Sequence, residues 1–189
     1  MTHDIVGGIV EGLVSPRTAM RRVLDTKPGI DVMLGLVVLS YAIQGMAGIL
    51  VPGTRTGDEP VLLLHLNLLI SQLVIFVVTS SAVFGVGRVF GGTGGLDRSL
   101  AGVAWYSFVT SWLSPAALYG LGQAAGEDAQ PGALSSLLLL GATGIGLWVF
   151  AGCVAEVHGF RSTWGVLGAS LGVMLLAVAS LLMLLPAPS

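Results

Sequence analysis

Polar side chains are rare inside this chain's apolar stretches, and their spacing is where chemistry has to be sought. Between Val61 and Val86, His65, Gln72 and Thr79 recur every seven residues while Asn67 and Ser71 stand four apart, so on a helix they fall largely on one side. Ser107, Thr110, Ser111 and Ser114 form a second polar stripe, and Gln44 contributes a single amide upstream. An ionisable group within a membrane is by default a candidate for proton relay or ligation. His65, however, has no Cys, Asp, Glu or second His at ligand spacing, which points to a neutral, hydrogen-bonded imidazole and to no metal site. Glu156 and His158 stand two residues apart, and no nucleophile, base and acid converge with them in the sequence. The one cysteine, Cys153, excludes an intramolecular disulfide and a cysteine-rich metal site, leaving a small packing residue. Neither an enzymatic reaction nor a cofactor is expected.

Five apolar runs position these groups: Val32 to Val51, Val61 to Val86, Leu100 to Leu121, Leu134 to Ala155 and Trp164 to Leu185. None contains Asp, Glu, Lys or Arg, and each holds 20 to 26 residues. A hydrocarbon core about 30 Å thick needs roughly 20 helical residues. With 54% hydrophobic residues, only 10% charged residues and a mean hydropathy of +0.91, a water-soluble domain is excluded. The expected fold is all-α, a polytopic membrane protein of five transmembrane helices. Its domains would be an amphipathic cytoplasmic segment over 1–31, a membrane domain over 32–185 and a short outer tail over 186–189. The first 30 residues carry Asp4, Glu11, Pro16 and four basic side chains, so no cleavable leader is read there.

Charge sets the orientation. Arg17, Arg21, Arg22 and Lys27 precede the first run, Arg88 and Arg98 lie in the second connection and Arg161 in the fourth, all on one side. Arg55 stands alone on the other, beside the acidic Asp58, Glu59, Glu127 and Asp128. Positive residues concentrate in cytoplasmic loops, which predicts a cytoplasmic N-terminus and a C-terminus across a cell inner membrane.

Ahead of the first run, Ile5, Val6, Ile9, Val10 and Leu13 make an apolar stripe. A second short helix is signalled by Ser15 at the N-cap and Pro16 at N1, with Met20, Val23 and Leu24 on one face and Arg17, Arg21 and Arg22 on the other. Such helices suit an anionic leaflet, where each basic residue adds about 1 kcal/mol. The stretch from Gly85 to Asp97 is dense in glycine, but a membrane helix precedes it and no Lys follows, so it predicts a tight turn instead of a phosphate loop.

Unpaired polar groups in hydrocarbon cost several kcal/mol, about 1 kcal/mol or less of which measured interhelical bonds return. Gln44, Gln72 and Ser114 compute to a shared depth of roughly 18 to 21 Å from the cytoplasmic side. A midplane cluster joining the first three spans is expected, with His65, Asn67, Thr79 and Ser111 nearby; it either glues helices or lines a path for a lipid or small solute. Pro115 removes the hydrogen bond to the Ser111 carbonyl and predicts a kink. Gly168 and Gly172 form a GxxxG match in the last run, which serves packing within the bundle or homo-oligomerisation.

The order of these features resembles the Yip family of Ypt/Rab-interacting membrane proteins, in its short bacterial branch, over roughly residues 10 to 185. The residues carrying the resemblance are Ser15-Pro16 with basic neighbours, Arg88-Val-Phe-Gly-Gly-Thr-Gly-Gly, Pro115 late in the third run, and Glu156-Val-His-Gly-Phe-Arg-Ser162. The resemblance implies five helices and a cytoplasmic N-terminus. Eukaryotic relatives are implicated in vesicle trafficking and Rab binding through regions that include a longer N-terminal segment and an Asp-Leu-Tyr-Gly-Pro type motif. Neither is found here, so a Rab partner is not expected. The expected role is non-enzymatic membrane organisation through helix packing and the basic face of Arg17, Arg21, Arg22, Arg88, Arg98 and Arg161. The alternative is transport along the polar faces of the second and third spans. Membrane lipids and a second copy are the expected partners; nucleic acid is not, and no protein partner is specified.

Overall fold

The computed structural model describes residues 5–50, 61–124 and 132–184. Arg55, the acidic residues of the expected outer loops and the tail over 186–189 lie outside them. Every regular element among the described residues is a helix: α1 (Ile5–Val14), α2 (Pro16–Asp25), α3 (Ile30–Leu50), α4 (Val61–Val89), α5 (Leu96–Ser111), α6 (Ser114–Ala124), α7 (Ala133–His158) and α8 (Thr163–Leu184). Helices satisfy their own backbone donors and acceptors, as hydrocarbon requires. By length and composition three segments can cross a bilayer, Ile30–Ala47 in α3, His65–Val89 in α4 and Ala133–His158 in α7; Thr163–Val173 in α8 is a shorter apolar helix. The chain is a polytopic helical membrane protein.

The third apolar run is two helices, not one kinked rod. Pro115 has no N–H for the Ser111 carbonyl, so α5 closes in a tight turn in which the Leu113 N–H donates to the Thr110 carbonyl at 2.9 Å. The chain restarts as α6 with Pro115 in its first turn, where a missing donor costs nothing.

α5 is the central helix, packed against α3, α4 and α7, and α7 carries α2, α6 and α8. Small residues let backbones approach closely where lipid offers no hydrophobic drive between helices. Ala101, Gly102 and Ala104 of α5 are buried in this way, together with Phe108 and Val109.

The N-terminal helices depart most from expectation. The apolar face of α2 rests on protein, not on a leaflet: Pro16, Ala19 and Met20 are buried against α7 and α5. Met20 belongs to the same core cluster as Val37, Phe76, Val109 and Val149. A Cβ on Gly152 of α7 would stand 2.8 Å from the Pro16 Cβ, and one on Gly12 of α1 would stand 2.9 Å from a Val109 methyl. Ser15 does precede α2, yet its hydroxyl makes no capping hydrogen bond, and Pro16 supplies the start signal alone.

Candidate functional site

The densest chemistry gathers where α7 ends. Gly159 takes the left-handed conformation at φ 69° that a Cβ would strain, and the Phe160 N–H turns back to donate to the Ala155 carbonyl at 2.8 Å. This reversal leaves the Phe160 and Arg161 carbonyls facing α2. Arg17 meets them: its Nη2 donates to the Phe160 carbonyl at 2.7 Å and its Nη1 to that of Arg161 at 3.0 Å. A cation at a helix C-terminus is also favoured by the helix dipole.

Glu156, one turn earlier, binds two of the three arginines of α2, Arg17 and Arg21. Arg17 Nε donates to Oε2 at 2.8 Å and Arg21 Nε to Oε1 at 2.7 Å. The carboxylate is only 11% exposed, whereas the Arg21 side chain is 62% exposed, so the Arg17 arm is the drier and stronger one. The hydrogen bond from Arg21 to Glu156 raises the Arg21 pKa above its ordinary value. Arg22 donates to Glu11 of α1 at 2.6 Å, which ties the two N-terminal helices together.

His158, two residues on, is buried. The glycine turn between α4 and α5 wraps its ring: a Cβ on Gly87 would collide with the imidazole, and one on Gly92 or Gly94 would stand 2.7 Å or 2.9 Å from Nδ1. The Thr93 N–H donates to the His158 carbonyl at 3.1 Å, and Phe160 stacks on the ring at 5.6 Å between centroids. Neither ring nitrogen has a partner at hydrogen-bond geometry, although the Val83 backbone lies within electrostatic reach. Glycine is needed here for close approach, and His158 acts as a pin holding α4, α5 and α7 together.

The remaining described arginines, Arg88, Arg98 and Arg161, are exposed at this same end and make no salt bridge among the described residues. The six described arginines thus divide into three paired with carboxylates and three facing out.

The intramembrane polar residues are more dispersed. Gln44 on α3 and Gln72 on α4 are half-buried, and among the described residues no hydrogen bond joins them to each other or to Ser114. The His65 carbonyl accepts from the Tyr41 hydroxyl at 2.9 Å, and the two rings meet edge to face, which links α4 to α3. Asn67 is exposed, Thr79 is half-buried, and the Ser111 hydroxyl donates to the Phe108 carbonyl of its own helix at 2.7 Å. Pro115 is exposed at the start of α6. On α8, Gly168 is exposed and Gly172 half-buried, and a Cβ on either would meet nothing within 4 Å. Close packing within the bundle therefore uses Gly12, Gly102 and Gly152, none of them in the GxxxG match on α8.

Among the described residues no three of His, Cys, Asp and Glu come together as a metal site. The arrangement can clamp helices, present positive charge and exclude water from a buried imidazole. Comparison with curated proteins and with solved structures gives no match. The Yip1 domain family model matches residues 11–184, a span running from α1 through α8. Matched over nearly its whole length, the chain belongs to the Yip1-domain family of membrane proteins.

Proposed function

We propose that the protein organises the membrane without catalysing a reaction, as a five-span bundle in a cell inner membrane with its N-terminus in the cytoplasm. In this reading α3, α4, the α5–α6 pair, α7 and α8 are the spans. The division of the arginines carries the reading. Arg17, Arg21 and Arg22 are committed to Glu156 and Glu11 and hold the N-terminal helices against the bundle, while Arg88, Arg98 and Arg161 form an outward basic rim at the same end. A rim of this kind draws anionic lipid headgroups or an acidic partner toward a rigid platform. Gly168 and Gly172, open to the surroundings on α8, offer a face for a second copy.

Donor- and acceptor-labelled copies reconstituted in vesicles containing anionic lipid test this. Energy transfer above that of randomly mixed copies is expected, falling toward the random level in the triple variant Arg88→Gln, Arg98→Gln, Arg161→Gln. Random mixing of the parent protein would refute the organising role. Solute flux across the same vesicles that disappears in Gln72→Leu or Ser114→Ala would turn the reading to transport. Reporter tags finding both chain ends on one side would refute the five-span arrangement.

A further inference from the structure

α8 leans chiefly on α7 and leaves a groove of about 590 Å3 between itself and α4, a volume within the range of small-molecule sites, roughly 300 to 1,000 Å3. Its walls are apolar. Val83 and Val86 come from α4, Phe150 and Val154 from the α7 floor, and Val166 and Ala169 from α8. Val86 and Ala169 are exposed, so the groove is reached from the lipid side of the bundle.

The groove ends at the arginine-rich face. Gly87 of α4 and Phe90 just beyond it line that end, and Arg88 lies between them in sequence; Phe160 and Ser162 line it from the α7–α8 link, and Arg161 lies between those two. Both arginines are exposed and, among the described residues, without a salt bridge, unlike Arg17, Arg21 and Arg22. Ser162 caps α8, its Oγ accepting from the Gly165 N–H at 3.1 Å, so the positive end of a helix of 22 residues also faces the mouth. The neighbouring Trp164 is 71% exposed, as suits a ring at headgroup level.

An apolar slot whose end residues flank two exposed arginines in sequence matches one chemistry. We infer that the groove binds a single anionic glycerophospholipid, with an acyl chain between α4 and α8 and the phosphate beside Arg88 and Arg161. A second copy is a poorer occupant. In a two-fold pair it would set its own Arg88 and Arg161 against these, like charge on like. The site stands independently of the organising role, since lipid retention is read on isolated chains and organisation on energy transfer between them.

Native mass spectrometry of the full chain, exchanged into mild detergent with equal phosphatidylglycerol and phosphatidylcholine, tests the assignment. One retained lipid per chain is expected, phosphatidylglycerol exceeding phosphatidylcholine by about thirtyfold, the scale of two basic residues beside an anionic headgroup. Arg88→Gln with Arg161→Gln should bring the ratio close to unity, and Ala169→Trp, which fills the groove, should remove both lipids. Should Ala169→Trp fail to fold, Ala82→Phe fills the opposite wall and is read in the same way. No retained lipid, equal retention of the two lipids by the parent chain, or retention unchanged by the filling variants would each overturn the site. A lipid-free dimer would give the groove to a second copy instead.

Discussion

The arginine-rich end of the bundle and its mid-membrane polar residues differ in what polarity does for them. At the arginine-rich end every internal charge has a partner: Glu156 takes two arginines, Glu11 takes a third, and glycines close on His158 and Pro16. In the middle, Gln44 and Gln72 sit half-buried without a mutual bond, and Asn67 faces outward. Polar residues in an apolar run therefore do not by themselves mark the joint of a membrane bundle. The tightest joints here are made by residues lacking a side chain, set against an imidazole and a proline ring.

Four comparisons probe this contrast, each read as melting in detergent. The largest effect is expected from Gly152→Leu, which drives a branched side chain into Pro16; helix propensity favours leucine by less than about 1 kcal/mol, while overpacking costs about 1–3 kcal/mol or more. An unchanged melting point would mean that the N-terminal helices are not seated on α7. Glu156→Gln comes next, at about 1–3 kcal/mol, because two guanidiniums lose their charged acceptor. Faster hydrogen exchange in α2 should accompany it, and exchange confined to other helices would count against the clamp. Arg17→Gln should cost more than Arg21→Gln, since only Arg17 also holds the carbonyls of Phe160 and Arg161, and the exposed Arg21 pair is worth about 0–1 kcal/mol. Reversal of that order would place the strength of the clamp at the surface. The smallest change, within about 0.6 kcal/mol, is expected from Gln44→Leu combined with Gln72→Leu. A loss as large as that of Glu156→Gln would instead restore the midplane amides as a structural joint.

Much of the helical layout was legible in the sequence because uncharged runs of bilayer length leave few alternatives. α4 begins at Val61 where its run begins, but continues through Arg88 to Val89, since a helix can carry a charge beyond the hydrocarbon. Pro115 foretold a bend, and a full break followed once the next turn also found Pro115 an acceptable start. The glycine turn was readable as a turn, not as the cradle of His158, because its partner lies 65 residues away along the chain. Arg17 and Glu156 are 139 residues apart, and no local pattern links them. One signal could have: the charge count set seven basic residues, Arg17 and Arg21 among them, on the side where the fourth run ends beside Glu156.

That separation along the chain has a consequence for biogenesis. α2 leaves the ribosome early, yet its seat on α7 is made only after some 139 further residues, roughly 7 to 28 seconds of synthesis at typical elongation rates. For that interval Arg22 already has Glu11 within reach, whereas Arg17, Arg21 and the apolar face of α2 await a partner made late in the chain. The N-terminal helices are thus seated only once the fourth apolar run has been made.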